Sequence, residues 1–307
     1  MQYIDRLKQL LRLDGAGFLS YSDEKLAEYK QYVLARAAET PVGTDPYYHM
    51  YVENIFPDEL YSAIERRMLY YRNHKKVKQR TQDNKGFVNR RFNLRNTPDA
   101  ETRYIRGIFN DPDVKRAFLG KFFVETPDEL VNPTRIHEEE FEYVYTAPGR
   151  FQNIHTDIPP KCLSFVFYIP GREVSEDEAD RNGTILYDKN LTPQSKAKYR
   201  PNSVGIFAQH FHSYHGFATT TERPALVMFY VHEGMERDWV AIRADEKPPF
   251  DDFKNQTRAK LERFPLREYG RDSAALDRAY AECRINAPSG RVMVEDPETL
   301  KPTHETV

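Results

Sequence analysis

From Pro133 onward the chain is cut into short runs rich in β-branched and aromatic residues: "EEFEYVYTAPG", "KCLSFVFYIPG", "NGTILYDKN", "NSVGIFAQ", "HFHSYHGF" and "RPALVMFYVHEG". Gly, Pro and Asn punctuate them. Runs of strand length separated by turn residues are the pattern of an antiparallel sandwich or barrel. The flanks read differently. "YIDRLKQLLRL" repeats its apolar positions at three and four, and "SDEKLAEYKQYVLARAAE" follows Ser22 as an N-cap. A further helix is expected to start near Pro57 and Asp58 with Leu60, Ile64 and Met68 on one face, and another region of helix around "AETRYIRGIFNDPDVKRAFLGKFF". Beyond Trp239, "FDDFKNQTRAKLERF" and "DSAALDRAYAECR" are helix-like and lead into a polar tail. The expected fold class is mainly β with flanking α. Residues 1–45 are expected to form an N-terminal helical extension, 46–240 the β domain, and 241–307 a C-terminal helical segment and tail.

A chain of 307 residues with 39% apolar and 13% aromatic content can bury a sizeable core. Lys plus Arg number 45 against 47 for Asp plus Glu, a net charge of -2, so no overall field draws nucleic acid or an anionic membrane. The only cysteines, Cys162 and Cys283, form neither a disulfide framework nor a zinc-finger spacing, which fits a reducing compartment. The first residues, "MQYIDRLKQLLRLDGAG", are charged throughout and lack the apolar core of a signal peptide, and no window is apolar enough to span a membrane. The expectation is a cytoplasmic protein acting on a small molecule, with no nucleic-acid or membrane partner and the oligomeric state open.

The chemistry-bearing candidates lie in the β region. "IHTD" places His155 and Asp157 one residue apart, and a His-x-Asp triplet arises by chance about once in a chain of this size, so its value depends on context. Residues i and i+2 of an extended strand point to one side, so both side chains can reach one ion. A mononuclear Fe(II) centre for oxygen chemistry uses two imidazoles and one carboxylate and keeps positions open. The third ligand comes from His210, His212 or His215. If "HFHSYHGF" is one continuous strand, His210 and His212 share a face and His215 takes the other; His215 alone precedes a Gly that lets the chain turn. Eight positions after His215 stands Arg223, a permanent cation that pairs bidentately with a carboxylate. Taken singly, the same residues could be a polar turn histidine, an Asx-turn former before Pro159 and Pro160, and a surface ion-pair arginine. Cys162 and Ser164 have no base in the local pattern and read as buried strand residues. Lys161 either faces the pocket or caps the loop.

In order and spacing, "IHTD", "GTILY", "SYHGF" and "ERPALVMFYV", with "VENIFPDELYSAI" upstream, resemble the Fe(II)- and 2-oxoglutarate-dependent oxygenase superfamily over roughly Tyr47 to Val240. The resemblance implies a double-stranded β-helix, or jelly roll, with His155, Asp157 and His215 as catalytic metal ligands and Arg223 as the 2-oxoglutarate anchor. It also implies O2 as cosubstrate, ascorbate as a supporting reductant, and hydroxylation of a C–H bond with release of succinate and CO2. A carboxylate at 157 implies oxygenation rather than halogenation. Many relatives carry Ser or Thr two residues after the anchoring Arg; this chain has Ala225, and Tyr143 and Tyr145 are the replacement hydroxyls proposed for the cosubstrate. The basic stretch "RNHKKVKQRTQDNKGFVNRRFNLRN" is either a solvated loop or a lid over an anionic substrate, and "GREVSEDEADRN" is a second loop expected to close over the site. A non-catalytic or cupin-like jelly-roll module, or a hydroxylase of peptide or protein side chains, are the other readings.

Overall fold

The computed structural model describes residues 19–73, 79–84, 87–94, 97–132, 135–136, 141–232, 250–283, 291–292, 294–296 and 300–302. The helix expected in "YIDRLKQLLRL" lies outside them. Fifteen strands are described: β1 (His49–Glu53), β2 (Gln79–Asn84), β3 (Phe87–Asn93), β4 (Arg135–Ile136), β5 (Glu142–Thr146), β6 (Phe151–His155), β7 (Lys161–Tyr168), β8 (Thr184–Tyr187), β9 (Pro193–Ala197), β10 (Ser203–Ala208), β11 (Tyr214–Ala218), β12 (Arg223–Val231), β13 (Arg291–Val292), β14 (Val294–Asp296) and β15 (Lys301–Pro302). The helices are α1 (Asp23–Glu39), α2 (Asp58–Asn73), α3 (Ala100–Asn110), α4 (Pro112–Phe122), α5 (Asp128–Val131), α6 (Glu176–Arg181), α7 (Phe250–Arg263) and α8 (Ser273–Glu282).

The strands from β5 to β12 form a jelly roll. The larger sheet runs β1-β10-β7-β12-β5-β3-β2, with β4 on β12, and the smaller runs β13-β6-β11-β8-β9. Apart from the β8–β9 hairpin, each consecutive strand crosses to the other sheet, and the ladders are antiparallel. This is the double-stranded β-helix order of interleaved Greek keys.

Strand alternation gives the larger sheet two distinct faces. On β7, Phe165 and Phe167 join the helical layer, meeting Phe109 of α3 edge to face at centroid distances of 5.4–5.5 Å, while Ser164 and Val166 face a cavity between the sheets. On β12, Leu226, Met228 and Tyr230 belong to the core with the helices, whereas Arg223, Ala225, Val227 and Phe229 line the cavity. Because both faces are covered, these strands are apolar almost throughout. That is why "SFVFY" and "RPALVMFYV" show no in–out polarity.

The helices start where short polar side chains can cap them. Ser22 Oγ accepts from the Lys25 N–H (3.2 Å) at α1, and Asp99 from the Thr102 N–H (2.8 Å) at α3, each cap being worth about 1 kcal/mol. Leu60, Ile64 and Met68 of α2 are buried as the spacing required, and Tyr29 and Val33 bring α1 into the same core. The expected polar tail is partly built in. β13 pairs with β6, Arg291 opposite His155, and Leu300 is buried with its carbonyl accepting from the Tyr187 hydroxyl (3.4 Å).

Candidate metal centre

His155 ends β6, Asp157 lies two residues beyond, and His215 sits directly opposite His155 in the β6–β11 ladder. The pairing brings the two imidazole centroids to 4.2 Å. All three side chains are buried, and one potential ligand atom from each lies within 4.8 Å of the others. A glycine makes this approach possible: a Cβ on Gly216 would stand 3.0 Å from the Gln152 carbonyl and 3.4 Å from the Ile154 nitrogen, at the bulge between His215 and Phe217.

The two imidazoles are oriented alike. His155 Nδ1 is 2.9 Å from the Asn153 carbonyl and His215 Nδ1 is 3.0 Å from the Ser213 carbonyl, in each case two residues upstream. A carbonyl can only accept, so both Nδ1 atoms carry the proton and both Nε2 atoms the lone pair. The Gln152 amide donates to His155 Nε2 (2.8 Å), consistent with that tautomer. Burial lowers the pKa of His215, which keeps it in the neutral form a metal requires.

Asp157 accepts from Lys161 Nζ and Ser164 Oγ. Burial opposes its ionisation, but the Lys161 ammonium beside it outweighs this and holds the carboxyl well below the usual range. Two neutral imidazoles and one carboxylate converging on one point form a donor set suited to Fe(II).

His210 and His212 stand apart because "HFHSYHGF" is not one strand. His210 to Ser213 is a turn, in which Ser213 Oγ accepts from the His210 N–H (3.0 Å) and donates to the His210 carbonyl (3.1 Å); β11 starts only at Tyr214. Side-chain parity therefore does not run across the segment. His210 Nδ1 accepts from the Tyr269 hydroxyl (2.7 Å) and the His212 N–H (3.2 Å), which turns Nε2 toward Glu268 (3.3 Å). Burial takes the pKa of His210 well below that of free histidine, lowers His212 to about 4, and raises Glu268 to about 7.

The raised Glu268 pKa has a definite sign. The folded state favours the protonated acid, so the contribution is fully present below pH 4.5 and is lost as pH rises through about 7. Glu268→Gln, which stays neutral, should gain stability relative to the parent protein between pH 5 and pH 8, by up to roughly 3 kcal/mol. Urea denaturation at both pH values measures it, and an equal difference at each would refute the assignment.

Arg223, the first residue of β12, is 3% exposed. Its Nε donates to the Asn182 carbonyl (2.8 Å), its Nη2 to Thr184 Oγ1 (2.9 Å), and its guanidinium lies 3.7 Å from the Phe217 ring centroid. Burial lowers its pKa, with Tyr168 and Tyr199 acting in opposition. Among the described residues no carboxylate forms an ion pair with it. The "GREVSEDEADRN" segment thus contributes α6 and, through Asn182, a backbone carbonyl holding this arginine.

Tyr143 and Tyr145 are not brought to the cavity. Between them Val144 lines it, and alternation sends both tyrosines to the opposite face of β5. Tyr143 packs on Phe92 (5.6 Å), and the Tyr145 hydroxyl donates to Glu222 (2.5 Å). The Thr184 hydroxyl does meet Arg223, and its Oγ1 also contacts the Tyr168 hydroxyl (2.7 Å). Cys162 is buried, with its thiol pushed up to about 11 by that burial, and Ser164 serves Asp157.

The cavity is lined by both sheets: His155, Asp157, His215, Gln152, Phe217 and Thr184 face Phe207, Arg223, Ala225, Val227, Phe229, Val144, Val166, Ser164, Lys161 and Arg91. Arg91 arrives on β3, in register with Val144, and donates to the buried Glu142 (3.1 Å). Part of the basic stretch is therefore sheet rather than loop. Sequence reasoning missed Arg91, Gln152 and Thr184; "GTILY" pointed to the strand that starts with Thr184, while Arg91 is one arginine among many.

No protein-family model and no curated protein matches the chain. Solved structures do. A Pseudomonas putida prolyl-4-hydroxylase is 11% identical, matching 66% of this chain and 100% of its own, with a TM-score of 0.48. A Trichoplax adhaerens prolyl hydroxylase, solved with a hypoxia inducible factor peptide fragment, is 10% identical over 72% of this chain and 97% of its own, at 0.49. A Burkholderia pseudomallei oxidoreductase of the 2OG-Fe(II) oxygenase family is 14% identical over 70% and 94%, at 0.40. At such distance these are likenesses only, and the jelly-roll order and the His–Asp–His cluster belong to this chain's own geometry.

Proposed function

We propose that this chain is a non-haem Fe(II)- and 2-oxoglutarate-dependent oxygenase that oxidises a C–H bond of a small molecule. The observation carrying this reading is one cavity that holds a buried His155–Asp157–His215 cluster and a buried Arg223 with no carboxylate partner among the described residues. A buried cation is costly unless an anion meets it, and a dicarboxylate cosubstrate supplies one. When bound, the iron and 2-oxoglutarate supply the oxidising chemistry, with O2 consumed and succinate and CO2 released. The chain's own part is positional. Asn153 and Ser213 hold the imidazoles with Nε2 inward, Ser164 and Lys161 hold the carboxylate, and Arg223, backed by Asn182 and Thr184, receives the distal carboxylate. Val166, Val227, Phe207 and Phe229 exclude water around the reacting centre.

Succinate measured by mass spectrometry during a substrate screen with Fe(II), ascorbate and 2-oxoglutarate tests the reading. Succinate should form with the parent protein and not with Asp157→Asn. Equal amounts from both, or a metal-dependent reaction indifferent to 2-oxoglutarate, would move the chain to a cupin-like activity.

A further inference from the structure

A bulge in β6 aims one amide at the metal ligands. In the β6–β11 ladder His155 pairs with His215 and Gln152 with Phe217, so Asn153 and Ile154 together oppose Gly216 alone. Strict alternation from His155 would turn Asn153 to the cavity and Gln152 away from it. The extra residue reverses this, and Gln152 lines the cavity beside His155. Its amide reaches back to within 2.8 Å of His155 Nε2.

That contact uses the lone pair through which His155 binds an ion, and one lone pair serves one partner. An ion at His155 therefore releases the amide N–H while the bulge keeps it on the cavity face, next to the ion's other ligands. The place of Gln152 in the sheet indicates which ligand it meets. Phe217 and Thr184 stand on the same side of the Gly216–Ile185 pair, so Gln152, Phe217 and Thr184 make one row across the smaller sheet, next to the row of His155 and His215. Arg223 meets that row at both Phe217 and Thr184. Same-face rows repeat about every 7 Å, the order of length of a five-carbon dicarboxylate. A 2-oxoglutarate held between the metal ligands and Arg223 thus runs alongside Gln152, where the released N–H is a donor for a carboxylate oxygen.

We infer that Gln152 is a cosubstrate-binding residue: its amide leaves His155 when an ion binds and then donates to the end of 2-oxoglutarate nearest the metal ligands. This inference rests on the oxygenase reading above. The two contacts pull in opposite directions, which gives the test its sign. Calorimetry on the full chain reads Mn(II) binding first, then 2-oxoglutarate binding to the Mn(II)-saturated protein. Gln152→Leu has no amide to displace from Nε2 and should bind Mn(II) roughly 2- to 10-fold more tightly, while binding 2-oxoglutarate roughly 10- to 100-fold more weakly. Gln152→Glu accepts without donating and repels a carboxylate, so it should move both affinities further the same way. Circular dichroism checks folding, and if Gln152→Leu does not fold, Gln152→Glu carries the same two signs. A residue that merely supports β6 would weaken both ligands when replaced. Mn(II) affinity that does not rise, or 2-oxoglutarate affinity that does not fall, therefore overturns the Gln152 assignment. Arg223→Ala, which should lose 2-oxoglutarate and keep Mn(II), shows that the oxygenase reading stands in that case. A parent chain that binds Mn(II) but no 2-oxoglutarate overturns the oxygenase reading itself, and the Gln152 assignment with it.

Discussion

Fe(II) affinity is expected to fall by more than about a thousandfold when His155 and Asp157 are both replaced by Ala, since loss of a mere supporting partner of a metal ligand already costs roughly 10–100-fold. His215→Ala should lose the metal similarly, while His210→Ala and His212→Ala keep it, because those two rings lie in the turn before β11 and outside the cluster. Asp157→Ala also removes a carboxylate bonded to the buried Lys161 ammonium, which destabilises the fold for a reason unrelated to metal. Asp157→Asn preserves the shape and an acceptor for Ser164, and separates the two effects. Calorimetric titration with Fe(II) under anaerobic conditions, with circular dichroism as the folding control, decides the matter. Unchanged affinity in folded His155→Ala or His215→Ala protein would remove the metal assignment.

The second large effect is expected at Arg223, which lines the same cavity. Arg223→Ala should raise the 2-oxoglutarate dissociation constant by roughly two to four powers of ten, which is about 3–5 kcal/mol for a buried, charge-assisted pair, and should leave Fe(II) affinity nearly unchanged. Thr184→Val tests the supporting hydroxyl and should cost less, because the Asn182 carbonyl still orients the guanidinium. Normal 2-oxoglutarate affinity in Arg223→Ala would favour a metal-dependent activity that needs no dicarboxylate.

Much of the fold was legible because its signals are local. Short apolar runs between turn residues marked the strands; Ser22 marked the start of α1, and the Leu60–Ile64–Met68 spacing marked the buried face of α2. His155, Asp157, His215 and Arg223 stood out through order and spacing, which survive in the linear chain. The parity argument for His215 depended on a continuous "HFHSYHGF" strand. Its choice of residue coincides with the cluster, but the physical reason is the turn at His210–Ser213, which local alternation could not reveal. Tyr143 and Tyr145 were nominated by their hydroxyls alone, and the pleat of β5 turned Val144 to the cavity instead.

What the amino-acid sequence determined by itself was the class of fold and a set of metal-ligand and anion-binding candidates, because periodicity and residue chemistry are written along the chain. Which nitrogen of each imidazole faces inward depended on carbonyls that only the strand geometry places, two residues back from His155 and His215. Which arginine of the basic stretch reaches the cavity depended on the β3–β5 register, since a shift of one residue would send Arg91 to the other face. That Arg223 lines the same cavity as His155, Asp157 and His215 depended on two sheets folding across each other. Tertiary structure decided these points because each is a distance between residues far apart in the chain, set by register and packing and carried by no local pattern.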